Sequence, residues 1–393
     1  MRSISIIVKP TLSCNIGCKH CYHTPDERSD RTVMTPEILE RLIRMASEEY
    51  ETAWFVWHGG EPLLLPLGFY KKAIGLQRKY FGRDSHRISN TIQTNGTLID
   101  RRFMDFCRDN RINVGVSFEG PCNNVLRPAL RKDAVQKNLD MMARRGHMFS
   151  VNATICRRST DGMIGIYDHF LEKGTALSFS PVMRIGSAGP DMVPDADEYA
   201  AQSIKVFEKW MRDPDADMPL MPHLQYVMAA LGEPSVSDCA HSSCLTKWIS
   251  VYPDGSIFPC AKGCPEEYLL CNINDIDRLS DSFSGGSMRR MLSASIARRQ
   301  KCLSECELFE YCQGGCSIDA LSEGSMEMNN GTSCRIFRKV FSHIFKTINS
   351  VIDGRSDLTD YNKFVREAIL GKLVNPKATS ENECPSERIQ RIL

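Results

Sequence analysis

The sequence has no long hydrophobic run. Nowhere in its 393 residues does a stretch approach the ~20 apolar residues that cross a membrane. The apolar run behind Met1-Arg2-Ser3 is far shorter than a secretory signal core. Nor is either charge in surplus: 49 Lys+Arg against 48 Asp+Glu leave a formal net charge of +1. That balance withdraws support for broad electrostatic binding to nucleic acid or an acidic membrane. Internal repeats and low-complexity blocks are missing too, which excludes a repeat array. What remains is an ordinary composition, 42% hydrophobic and 25% charged, with ample material for a core. The length fits two or three domains. A cytoplasmic protein without a nucleic-acid or membrane partner is expected.

Cysteine is the residue in excess. There are 17, and 13 of them fall in two zones, residues 14–21 and 239–334. In a reducing compartment such cysteines serve as metal ligands more often than as disulfides. Cys107, Cys122 and Cys156 lie between the zones and Cys384 in the tail, and these four read as core or incidental thiols.

The stretch between the zones alternates strand and helix patterns. Strands are expected at 3–8, 53–57, 86–93, 112–117, 149–155 and 176–180. Helices are expected at about 35–50, 67–80, 100–110, 132–145 and 163–173. Such alternation favours a parallel sheet, because each crossover carries the chain back to the same edge. Six strands fall short of a closed eight-stranded barrel, so the fold class predicted is α/β, a partial (β/α)6 TIM-like barrel open on one side. Residues 184–194 read as Gly/Pro-rich punctuation and open a helical linker over 186–236, with helices at 197–211 and 221–231. Residues 237–340 read as a small cysteine-rich α+β domain of loops and short hairpins. Helices at 335–351 and 358–373 and a polar tail complete residues 341–393.

Cys14, Cys18 and Cys21 are spaced Cys-x3-Cys-x2-Cys directly after the first strand. A zinc knuckle borrowing His20 or His23 is one use of that spacing. Three thiols in one short loop without a fourth nearby suit a cubane iron–sulfur cluster with one iron left open, the mark of a reactive site. The loop resembles that of the radical S-adenosylmethionine (radical SAM) enzymes over about residues 1–185. The resemblance implies an iron that chelates the methionine part of SAM, and an electron that cleaves SAM to a 5′-deoxyadenosyl radical. Gly59-Gly60-Glu61-Pro62 looks like the family's glycine motif that receives the SAM amino group. Thr94 and Asn95, after Gln93, resemble the third-strand motif beside cofactor and substrate. Ser117 and Glu119 stand where relatives carry residues near the ribose, and Arg127 would suit the SAM carboxylate.

The second cysteine zone is similar to the SPASM domain of peptide-modifying radical SAM enzymes, which carries two auxiliary 4Fe–4S clusters. By that resemblance Cys239, Cys244, Cys260 and Cys316 would hold one. Cys302, Cys306, Cys312 and Cys334 would hold the other, which brings the total to three 4Fe–4S clusters plus SAM. One extra residue after Cys302 departs from the common spacing, and Cys264 and Cys271 are spares. Two four-cysteine zinc sites are the alternative.

The implied activity is oxidative modification of a ribosomally made peptide, by a crosslink or another redox change. The electron donor would be of flavodoxin or ferredoxin type. Anaerobic sulfatase-maturating enzymes look similar at residues 56–62 and 93–97, yet they carry an Asp after the third first-cluster cysteine, where this chain has Ala261. Formylglycine formation is therefore the second reading, ahead of a small-molecule dehydrogenase or epimerase and of a zinc-binding adaptor. No general base is assigned; His58, Tyr22 and Glu61 are candidates by position. With thirteen residues before Cys14, peptide recognition is expected from 195–235, the cysteine-rich domain, the C-terminal helices or a separate protein.

Overall fold

The computed structural model describes residues 3–82, 86–128, 131–233, 244–262, 266–355 and 357–374. Six strands follow the sequence pattern closely: β1 (Ser3–Val8), β2 (Thr52–Trp57), β3 (Ile88–Thr94), β4 (Ile112–Ser117), β5 (Ser150–Ile155) and β6 (Ala176–Pro181). In β2 and β5 buried residues alternate with half-buried or exposed ones, as expected of strands with one face on a core. Two of the crossover helices start on side-chain caps. Thr35 accepts from the Ile38 N–H ahead of Pro36–Glu49, and Asp100 from the Phe103 N–H ahead of Arg101–Asp109.

The sheet is larger than the sequence indicated. Four short strands join it: β7 (Leu220–Met221), β8 (Trp248–Val251), β9 (Ser256–Phe258) and β10 (Cys271–Asn272). The strand order is β10-β9-β8-β1-β2-β3-β4-β5-β6-β7, an open barrel wall. β8 lies parallel to β1, pairing Val251 with Val8, and β7 parallel to β6. Only the β8–β9 and β9–β10 pairs are antiparallel. Register aligns the carboxyl ends: Val8 opposes Trp57, Trp57 opposes Ile92, and Thr94 opposes Val116. The loops after β1 to β4 therefore open on one rim, where parallel α/β folds place their sites.

Three expectations are corrected. Of the expected linker, the described residues 186–233 pack on the barrel: helix Ala196–Met211 buries Tyr199, Val206, Phe207 and Trp210 in the main core. The cysteine-rich zone is not all loops and hairpins, since helix Gly286–Glu305 runs 20 residues through it. The boundary expected at 340 falls inside helix Thr332–Ser350, whose stripe of Ile336, Phe337, Val340, Phe341, Ile344 and Ile348 joins the same core. Among the described residues no helix is long and apolar enough to cross a membrane. Phe341 is fully buried against Tyr226 and Tyr311. Phe341→Ala is expected to lower stability by about 3–5 kcal/mol in urea unfolding.

Candidate functional site

The loop after β1 is shaped by backbone contact. Gly60 N–H donates to Thr11 O (3.0 Å) and Glu61 N–H to Ser13 O (2.8 Å), laying the turn after β2 along residues 11–13. The approach is too close for a side chain: a Cβ on Gly60 would lie 2.0 Å from Ser13 O. Gly59 has φ +116°, and a Cβ there would meet Thr11 O at 2.6 Å. The glycines thus serve the cysteine loop itself. A second strap comes from the segment read as punctuation. Ser187 N–H donates to Cys21 O (2.8 Å), and a Cβ on Gly186 (φ +59°) would strike the Tyr22 backbone at 2.4 Å. Lys19 N–H donates to Leu126 O (3.0 Å) and fastens a third side.

Within this frame Cys18 is buried and Cys14 and Cys21 half-buried. Burial pushes the Cys14 thiol up to about 11, and the nearby Glu61, Cys18 and Cys21 add to the rise. Cys21 is likewise raised by burial and by Cys18. Thiols in this condition ionise only against a cation. Arg127 supplies one beside Cys18, with Nη1 3.3 Å from Sγ. Among the described residues no three Cys, His, Asp or Glu side chains converge as a single bound ion requires. A cubane takes each thiolate on a different iron, and the three thiols of this one loop supply that donor set. The histidines a zinc knuckle would borrow do not join the thiols. His23 lies between Lys9 Nζ (3.3 Å) and Glu27 Oε1 (3.2 Å), and His20 is half-buried, its pKa lowered by desolvation and by Arg127.

The polar residues of the strand ends form two buried constructions. In the first, the Glu61 carboxylate accepts from Thr94 Oγ1 (2.8 Å), Asn95 N–H (2.8 Å) and Leu63 N–H (2.9 Å), tying the β2 and β3 ends together. Burial raises its pKa to about 7 in spite of those donors. Asn95 Nδ2 then reaches Asn15 Oδ1 (2.8 Å) in the cysteine loop. In the second, Glu119 and Arg127 form a forked ion pair, Oε2–Nε 2.8 Å and Oε1–Nη2 3.0 Å, with both side chains buried. Glu119 also accepts from Thr154 N–H (3.2 Å). The resemblance assigned these two residues to separate parts of SAM; here each is the partner that the other's buried charge requires. Ser117 Oγ accepts from Gln93 Nε2 (2.8 Å).

Sequence reasoning missed Lys9, the residue after β1. It is fully buried, and Nζ donates to Tyr252 O–H (2.9 Å) and Ala261 O (2.8 Å) besides facing His23. The Tyr252 ring centroid lies 4.1 Å from Nζ and the Tyr22 ring 5.3 Å. The only advance signal was a lysine closing an apolar strand. His58 accepts the Gly59 N–H at Nδ1 (2.8 Å) and contacts Tyr22 O–H (2.9 Å). Burial and Lys9 lower its pKa to about 3. Burial pushes the Tyr22 hydroxyl well above its usual range. Of the three candidate bases, His58 is thus a weak base, Tyr22 reluctant to ionise and Glu61 committed to three donors.

In the second zone, Cys302, Cys306 and Cys334 all act on Cys312, which burial, followed by Cys334, pushes up to about 12. These four of the expected ligands therefore stand together. Cys260 and Cys316 pack on one small apolar cluster with Leu245, next to Cys244 in sequence. Cys239, Cys264 and Cys384 lie outside the described residues. Cys271 faces Asp275 and Asp281. Cys107 and Cys156 are buried, and Cys122 is half-buried beside Cys156.

Gly60→Ala is expected to destabilise the protein by about 1–3 kcal/mol through overpacking, read by denaturation. Glu61→Ala strands the Asn95 and Leu63 N–H groups, and a loss of about 1–3 kcal/mol in the same unfolding measurement is expected.

Residues 8–171 match the Radical SAM superfamily. A serine-type anaerobic sulfatase-maturating enzyme of Klebsiella aerogenes is 26% identical over 358 residues, 86% of this chain and 84% of that enzyme. Native anSMEcpe solved with bound AdoMet and Cp18Cys peptide has a TM-score of 0.78 at 24% identity, covering 90% of this chain and all of that one. Streptococcus suis SuiB bound to precursor peptide SuiA has a TM-score of 0.60 at 19% identity, covering 84% and 76%. Residues 8–171 thus carry the likeness to the Radical SAM superfamily, and the chain as a whole shares the architecture of the anaerobic sulfatase-maturating enzymes.

Proposed function

We propose that this radical SAM enzyme oxidises a side chain within a peptide or protein substrate. Cys14, Cys18 and Cys21 would hold a cluster that, once reduced, would supply the electron for cleaving SAM to a hydrogen-abstracting radical. The chain's own residues set the stage for that chemistry. Gly59, Gly60 and Glu61, with Thr94 and Asn95, form the rim proposed to receive SAM. Ser117, Glu119 and Arg127 line the next strand end, and Arg127 holds positive charge against the Cys18 sulfur. Cys239, Cys244, Cys260 and Cys316, and separately Cys302, Cys306, Cys312 and Cys334, are proposed to hold the two auxiliary clusters.

The observation that carries the reading is how closely the two cysteine zones meet. Tyr22, next to Cys21, lies within electrostatic reach of Cys14, Cys21 and Cys260 alike. Lys9 reaches from the end of β1 to the carbonyl that follows Cys260. A substrate carbon activated beside the first zone would therefore lie near an electron acceptor in the second.

Full-length likeness to sulfatase-maturating enzymes supports formylglycine formation at a Cys or Ser. A second reading, a crosslink or another oxidation of a precursor peptide, is supported by Ala261. The residue after Cys260 carries no carboxylate, and its carbonyl faces the Lys9 ammonium. A side chain oxidised by two electrons must still shed a proton, so the acceptor differs from the one the resemblance implies.

Anaerobically reconstituted enzyme should contain about twelve irons with matching sulfide, the content of three cubanes. With SAM and a chemical or flavodoxin-type reductant it should release 5′-deoxyadenosine. Cys- and Ser-containing peptides are then analysed by mass spectrometry with an aldehyde-trapping hydrazide. A trapped aldehyde identifies formylglycine, whereas loss of two hydrogens without trapping identifies a crosslink. SAM recovered intact would overturn both readings.

A further inference from the structure

Helix Gly286–Glu305 carries a buried cation between the two auxiliary cysteine groups. Arg298 is 2% exposed and sits one helical turn before Cys302, on the same face. Its Nε donates to Gly314 O (2.9 Å), and Nη1 donates to Met326 O. Nη2 donates to Ser317 Oγ (2.9 Å) and Gly315 O (3.3 Å), with Ser295 Oγ at 3.5 Å. Gly314 and Gly315 follow Cys312, and Gly315 and Ser317 flank Cys316. One guanidinium thus grips the short segment that joins a cysteine of one proposed site to a cysteine of the other.

No hydrogen-bond partner named here is charged, and among the described residues Arg298 makes no salt bridge. Asp319 lies in the neighbourhood, but it hydrogen-bonds Ser333, faces Lys262, and is itself driven towards its neutral form by burial. The negative groups that act most on Arg298 are four sulfurs, Cys316, Cys302, Cys244 and Cys312. A guanidinium taken out of water without an opposite charge is strongly disfavoured. The placement makes sense when those sulfurs are thiolates on metal. Arginine suits the position for two reasons: its rigid fork matches several fixed acceptors at once, and it stays charged throughout the working pH range.

We propose that Arg298 is the shared internal counter-cation of the two auxiliary sites, a positioning residue that fixes the 312–317 segment and favours the reduced state of clusters on both sides. The proposal rests on the reading that these cysteines hold iron–sulfur centres. Its physical basis is that charge and hydrogen bonding around a cluster set its potential. A fixed positive charge favours the form with one more electron.

The test uses the full chain, reconstituted anaerobically, as wild type, Arg298→Gln and Arg298→Lys. Iron and sulfide are measured per chain, and each cluster's potential follows from an EPR-monitored redox titration. Arg298→Gln is expected to shift the reduction equilibrium of both auxiliary clusters at least tenfold towards the oxidised form, 59 mV for one electron. The N-terminal cluster should not move, and Arg298→Lys should restore most of the shift. Both potentials unchanged in a fully loaded Gln variant, or only one moved, would overturn the proposal. If Gln fails to retain iron, rescue of iron by Lys supports the charge role; failure of both variants assigns Arg298 to packing alone and overturns it. Wild-type protein holding zinc, or only about four irons, would instead defeat the cluster reading, and the proposal with it.

Discussion

The rim of this barrel depends on one close approach, that of the Gly59–Gly60 turn to the backbone of residues 11–13. The two segments hydrogen-bond as though they were strands, at a separation no side chain would allow. That contact fixes where the peptide planes before Cys14 lie, and so where the cysteine loop begins. The Gly186 strap fixes where it ends, against Cys21 and Tyr22. A loop held at both ends and at Lys19 presents three sulfurs with little freedom left to lose on binding, which is what preorganisation of a reactive centre requires. Glu61 belongs to the same contact. Its carboxylate is drawn below the surface because the turn carrying it is pinned there, and three donors compensate the burial only in part. A raised pKa follows, along with a site that would gain from a neighbouring cation.

The parts of this arrangement that were legible in the sequence were those with local causes. β1 and β4 match their expected bounds at both ends, and β2, β5 and β6 each shift by one residue at one end, because alternation and flanking caps act within a few positions. The cysteine motif and the glycine turn were legible for the same reason. The failures share a different cause. Gly186 reads as a break in local pattern, and its reason for being glycine is a backbone distant in sequence. Lys9 shows no periodicity; its partners Tyr252 and Ala261 arrive only when β8 pairs with β1. Glu119 and Arg127 stand eight residues apart in an irregular stretch, so no helical or strand spacing announces their pairing. Helix Gly286–Glu305 buries only Met288, Met291, Arg298 and Cys302, an apolar stripe too thin to be recognised, with a charged residue in its middle.

The two buried arginines solve opposite electrostatic problems. Arg127 stands in the zone proposed to receive SAM, a ligand with charges of both signs. A forked pairing with Glu119 leaves that neighbourhood close to neutral while one nitrogen still faces Cys18. Arg298 stands among four cysteine sulfurs and makes no salt bridge among the described residues, and the acid in its neighbourhood, Asp319, is driven towards its neutral form by burial. An acid beside it would cancel the positive charge that the surrounding thiolates need. The difference follows from what each site must compensate.

How far apart the two cysteine zones lie is a question of sheet hydrogen bonding. β8 adds to the free edge of β1 in parallel register, so the hairpin leading to Cys260 is an extension of the barrel wall. Lys9 N–H donates to Val251 O at that seam (2.8 Å), and its side chain spans the same seam to Tyr252 and Ala261. A parallel ladder buried on its barrel side opens only by local unfolding, which puts hinge motion between the zones out of reach on the timescale of loop movement. Access for a peptide must therefore come from the unpaired side of the open wall or from loops above the rim. The seam thereby sets how the two cysteine zones sit against each other. Lys9 adds the last element: an ammonium at the seam is stable only while the tyrosine hydroxyl, the carbonyl and the imidazole beside it stay in place. Any reaction that reshaped the seam would strand that charge in the interior. The enzyme is thereby confined to chemistry in which the substrate moves and the frame does not.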